Sequence, residues 1–109
     1  MNLKALVDPD VDSGVPGGTA LLEFAAAVIG PDRSRLDAAR AALAAELGLA
    51  AVTGASAVAG NFSKNDRIAD ATGIPADPPA LKATKQLRAE LGLNDFKSAI
   101  NSLRHFPDS

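Results

Sequence analysis

The sequence predicts an all-α fold, a small bundle of about five helices packed around one long central helix. Three observations carry that prediction. The stretch Leu49 to Pro75 reads as one helix with legible ends. Apolar residues recur at helical spacing in four further segments, each bounded by Gly, Pro, Asn or Asp. Aromatics are only 4% of the chain, so its core must be built from Ala, Leu, Val and Ile, which suits closely spaced helices.

Met1 to Val7 is a short apolar arm, and Asp8 to Gly14 an acidic loop. The alternating aspartates faintly echo a calcium loop. The glycine falls one position late, and Thr19 stands where the closing acid would be. The plainer reading is an acidic loop without a metal. Val15 to Gly18 forms a turn, with Thr19 as N-cap of a helix through Ile29. Leu21, Phe24, Ala25 and Val28 make its buried stripe, and Glu23 its outer edge. After Gly30-Pro31-Asp32, Ser34 caps the next helix in a box with Asp37, and Leu36, Ala39, Leu43 and Leu47 form its stripe. Arg33, Arg35, Asp37, Arg40 and Glu46 mark its wet side. Gly48 is expected to be left-handed, with Leu49 folding back near Leu43.

The central helix would span roughly 34 Å. Its first half carries Ala50, Ala51, Gly54, Ala55, Ala57, Ala59 and Gly60. Each interior glycine costs roughly 1 kcal/mol of helix propensity, a cost that close packing would offset. Small residues on every side predict enclosure by neighbours on more than one face. Gly73, then Ile74-Pro75, closes the helix. Its second half gathers Asn61, Arg67 and Asp70, a candidate polar site at the mouth of a bundle. A structural ion pair with a solvated end accounts for the same residues.

Asn61-Phe62, then Arg67-Ile68-Ala69-Asp70-Ala71-Thr72-Gly73-Ile74-Pro75, resembles the last core helix of the carboxymuconolactone decarboxylase and alkyl hydroperoxidase D-like superfamily. Leu21 to Ile29 resembles the helix before it, and Leu36 to Leu47 takes the place of the connecting helix. The resemblance spans residues 19–75 and implies a helical half-domain that associates with further copies. Peroxidase members of that superfamily act through a Cys-x-x-Cys pair and a nearby His on an upstream helix. This chain has no cysteine, and its one histidine, His105, lies outside the resembling segment. The resemblance therefore implies a scaffold without thiol chemistry.

Asp77-Pro78 opens a helix expected to run through Leu91. Asn94 caps a last helix to about Arg104, with Phe96, Ala99, Ile100 and Leu103 as its apolar face. The region 1–109 is then a single helical domain, with a core at 19–75 and a terminal helical pair at 78–106. From Lys82 to Arg104 there are five basic residues and two acids, a solvated face or a weak anion-binding patch.

A net charge of −2 argues against a nucleic-acid partner. The absence of cysteine excludes disulfides and thiolate metal sites. No targeting signal is visible, and the uncharged run Leu47 to Ser63 is too short and polar for a membrane span. A cytoplasmic homo-oligomer without cofactor is expected. The other reading is a non-thiol enzyme or small-anion-binding protein, sited at a subunit interface near Asn61, Arg67 and Asp70.

Overall fold

The computed structural model describes the whole chain, residues Met1–Ser109. It is all-α, a small helical bundle of six α-helices with no strand. Two compact units divide it, Met1–Lys64 and Asn65–Ser109.

In the first unit the arm folds as a single 3-10 turn, Leu3–Leu6, started by Asn2, whose side chain accepts from the Lys4 amide. The Asn2 amide donates to the Ser13 carbonyl at 2.7 Å and ties the arm to the turn that precedes the first helix. Helix α1 (Gly18–Ile29) begins one residue before the expected cap Thr19. Gly17, at φ +67°, holds the cap position instead. A Cβ at Gly18 would meet the Ser13 hydroxyl, so a larger residue there would have to displace that side chain.

Helix α2 (Arg33–Leu47) is capped by Asp32, not Ser34. Asp32 is extended and accepts from the Arg35 amide at 3.1 Å, as a short carboxylate at the N-cap does. Asp37 closes no box. It pairs with Arg33 at 3.3 Å and Arg40 at 2.8 Å, which hold its carboxyl below the usual range, chiefly through the Arg40 hydrogen bond.

The three-residue break between α1 and α2 makes them a hairpin, and theirs is the extensive helix–helix contact of this unit. Phe24 and Ala27 of α1 meet Ala39 and Leu43 of α2, with Leu43 fully buried and Phe24 at 2% exposure. Each such large side chain contributes about 1.5–3 kcal/mol through burial. Gly48 departs from the expected left-handed close. It has φ +92° with ψ 166°, and Leu49 stays 78% exposed instead of folding back. The chain turns there directly into the next helix.

Helix α3 (Leu49–Thr72) runs unbroken through Gly54 and Gly60, as expected. Its enclosure is not as expected, for no residue of α3 is buried. Val52 and Ala55 rest against the hairpin core. Together with Ala51, Ala59 and Ser63 they form the partly buried stripe of this half of the helix. One hairpin can cover only one side of a rod, which is why the other sides stay open.

In the second unit α3 ends as predicted. Gly73 is left-handed at φ +68°, its amide bonds the Asp70 carbonyl and the Ile74 amide bonds the Ala69 carbonyl, each at 3.2 Å. That pair of bonds is a Schellman close. Asp77 precedes α4 (Pro78–Ala83) as expected, with Pro in the first turn.

The predicted helix 78–91 is two helices, α4 and α5 (Lys85–Leu91), parted at Thr84. Thr84 donates its hydroxyl to the Ala80 carbonyl at 2.8 Å. Arg88 donates to the Thr84 hydroxyl and, at 2.8 Å, to the Leu81 carbonyl. Side chains thus satisfy the backbone groups that a break would strand.

The predicted helix 95–104 is also broken. Asn94 is no cap, because its side-chain oxygen accepts from Arg88 at 2.7 Å. Phe96 is extended, and a single 3-10 turn at Lys97–Ala99 leads into the one-turn α6 (Ile100–Leu103). Only part of the expected apolar face turns inward, at Ala99 and Leu103, which are half-buried. Phe96 and Ile100 are exposed, while Asn101 is buried.

Candidate functional site

The sequence placed its candidate site on α3, and all three residues are exposed there. Asn61 belongs to the first unit, and Arg67 and Asp70 to the second. Asn61 and Asp70 are nine positions apart, hence about half a turn out of phase on an α-helix. They point to opposite sides. Arg67 and Asp70, three apart, share a side.

Asp70 is engaged by a residue the sequence reading passed over. Asn101 Nδ2 donates to Asp70 Oδ1 at 3.0 Å. Arg104 Nη2 in turn donates to Asn101 Oδ1 at 3.3 Å. A guanidinium, a buried amide and a carboxylate form one polar chain that fixes α6 against the end of α3. Such a relay orients helices, and its amide uses a donor on one neighbour and an acceptor on the other. The signal for Asn101 was slight: a single amide beside four apolar residues that outweighed it.

The open side of α3 is the more distinctive feature. Opposite its partly buried stripe lie Ala50, Thr53, Gly54, Ala57, Gly60 and Asn61, all exposed and recurring every three or four residues. Val58, at 58% exposure, borders that strip, while Phe62, at 62%, continues the line of Ala51 and Ala55 beyond the hairpin. Cβ atoms built at Gly54 and Gly60 meet nothing within 4 Å. The Ser56 hydroxyl at the edge of the strip donates back to the Val52 carbonyl at 2.7 Å.

A second feature lies on the hairpin. Glu23, which the sequence set on an outer edge, is exposed and grips Arg35 in a two-point pair. Arg35 Nε donates to Oε1 at 2.7 Å and Nη2 to Oε2 at 2.9 Å. The Arg35 hydrogen bond holds the Glu23 carboxyl below its ordinary range, and Glu23 holds the guanidinium charged. Both line a cleft of about 280 Å³ between the amino-terminal arm and α1.

In the acidic loop, Asp8 accepts from the Asp10 amide at 3.0 Å and Asp12 from the Gly14 amide at 2.8 Å. The aspartates brace the turns of their own backbone. No three His, Cys, Asp or Glu side chains converge in a set that could hold a metal ion. The basic residues of 82–104 do not form one face either. Arg88 is turned to backbone and Asn94, and Lys85 donates to the Asp108 carbonyl at 2.9 Å. His105 is exposed, its ring 6.3 Å from that of Phe106. No helix is long and apolar enough to cross a membrane.

Comparisons with protein-family models, with curated proteins and with solved structures find no match to this chain.

Proposed function

We propose that the chain is a self-associating helical module whose α3 packs against α3 of a second copy. One observation carries this reading. Gly54 and Gly60 sit in the interior of an exposed helix with ordinary helical backbone and open space where a Cβ would go. Each weakens the helix by roughly 1 kcal/mol relative to Ala, and nothing in the chain requires either to be glycine. A strip of Gly and Ala lets another backbone approach closely, and Val58 at its border then adds apolar area to the contact. A closed homo-oligomer covers such a strip with a copy of itself.

Within this reading the chain is a cysteine-free relative of the core helices of the carboxymuconolactone decarboxylase and alkyl hydroperoxidase D-like superfamily. It keeps their mode of assembly without their thiol chemistry.

The test is sedimentation velocity on the wild type and on Gly54→Leu. A side chain on the strip has room in the single chain and none in a close helix pair. The wild type should sediment as a dimer or larger at micromolar concentration, and Gly54→Leu as a monomer of unchanged helicity. A wild type that stays monomeric at about a hundred micromolar, a concentration at which a contact worth 6 kcal/mol would already form, overturns the proposal.

A further inference from the structure

The cleft on the first unit is independent of the α3 strip, and its lining has a definite chemistry. Val11 of the acidic loop and Leu22 and Ala26 of α1 line it with apolar surface. Leu6 and Val7 at its lip are more than half exposed, at 58% and 51%. The polar lining includes Asp8, Glu23 and Arg35.

Arg35 is the organising group. Glu23 occupies the Nε–Nη2 edge of its guanidinium and fixes the plane of the fork. A guanidinium carries five N–H donors. Nη1 has no acceptor in the chain, so the outer Nη1–Nη2 edge is left to receive a second carboxylate, already oriented. Asp8 has the complementary vacancy. Its Oδ1 accepts from the Asp10 amide and its Oδ2 accepts from nothing.

Within the lining, two carboxylates and one guanidinium sum to −1, and the Asp32 carboxylate adds its field at Arg35 from outside the cleft. A simple anion would be repelled by Asp8 and Glu23, and a simple amine would leave the free edge of Arg35 unmatched. A zwitterion with a short apolar tail satisfies both. The cleft is below the roughly 300–1,000 Å³ of drug-sized sites, so it admits only a small molecule.

We propose that this cleft binds a free aliphatic α-amino acid of the size of valine or leucine. Its carboxylate lies on the outer edge of Arg35, its ammonium toward Asp8, and its side chain against Leu22 and Ala26.

Titration calorimetry with four probes tests this: L-leucine, 4-methylpentanoate, 3-methylbutylamine and L-aspartate. L-leucine should bind, and each of the others should be weaker by about tenfold or more, as expected when one matched charge is lost or the tail is polar. No heat with millimolar L-leucine overturns the proposal. So does equal binding of the amine or of the carboxylate, since the site would then not read a zwitterion.

Two variants localise the binding. Ala26→Leu fills the floor at an exposed helical position and should abolish L-leucine binding while thermal unfolding stays unchanged. Asp8→Asn keeps the Oδ1 acceptor for the Asp10 amide and removes the charge. It should weaken L-leucine about tenfold and leave 4-methylpentanoate no weaker. Full L-leucine affinity in either variant places the ligand elsewhere and overturns the assignment.

Discussion

The α1–α2 hairpin and helix α3 have much the same apolar vocabulary and use it in opposite ways. The hairpin concentrates its large residues, and Phe24 and Leu43 disappear completely between the two helices. Helix α3 disperses its large residues and leaves Val58, Phe62 and Ile68 more than half exposed. Its small residues are too short to bury area against one neighbour. The difference is that the hairpin core is closed within the chain, while no residue of α3 is buried.

The sharpest way to break that contrast is to cut into each side. Leu43→Ala should destabilise the first unit by about 2–5 kcal/mol, the range for emptying a closed core site, read as a large fall in the thermal midpoint. A loss under about 1 kcal/mol would mean that the hairpin core is loose.

The next effect has the opposite sign. The double variant Gly54→Ala, Gly60→Ala should stabilise the monomeric helix by about 1 kcal/mol per site, measured by circular dichroism melting at low concentration. Under the assembly reading the same variant should associate more weakly. If it instead melts lower in dilute solution, the glycines have a role inside the chain.

Smaller again is Val58→Ala. In the monomer it should shift stability by no more than about 0.5 kcal/mol, as surface changes do, against the much larger loss at Leu43. Equal losses at the two positions would erase the contrast.

The smallest effect concerns the rim of the hairpin. Arg35 lowers the folded-state pKa of Glu23. The stabilisation is therefore fully present above the ordinary glutamate value and is lost as pH falls through the lower folded value. Glu23→Gln should melt below the wild type at neutral pH. The gap should close below about pH 4, where the unfolded glutamate is protonated, and shrink in 1 M salt. A gap constant from pH 7 to pH 3 would show that the pair acts by shape alone.

What the sequence revealed was local. The spans of α1, α2 and α3 and the close at Gly73 are written in spacing and in Gly, Pro and Asp, so they were legible. The break at Thr84 was not, because it depends on Arg88 reaching back to the Leu81 carbonyl. The inward turn of Asn101 was hidden because its partner Asp70 lies 31 residues away. The candidate residues Asn61, Arg67 and Asp70 were grouped by nearness along one helix, and helical phase separates the first from the last. The cleft was invisible for a related reason. Glu23 and Arg35 could each be read as wet-side residues, but their pairing needs the register of the hairpin, and the cleft walls come from separate segments.

The uncharged run from Leu47 to Ser63 has a kinetic consequence. Two copies approaching through that strip feel no long-range attraction or repulsion from it, so nothing steers them into register. Under the assembly reading, encounter would proceed at the unsteered rate of about 10⁵–10⁶ M⁻¹s⁻¹. Each copy carries a net charge of −2, so added salt would raise that rate slightly by screening their repulsion, and the lifetime of the pair would set how tightly it holds.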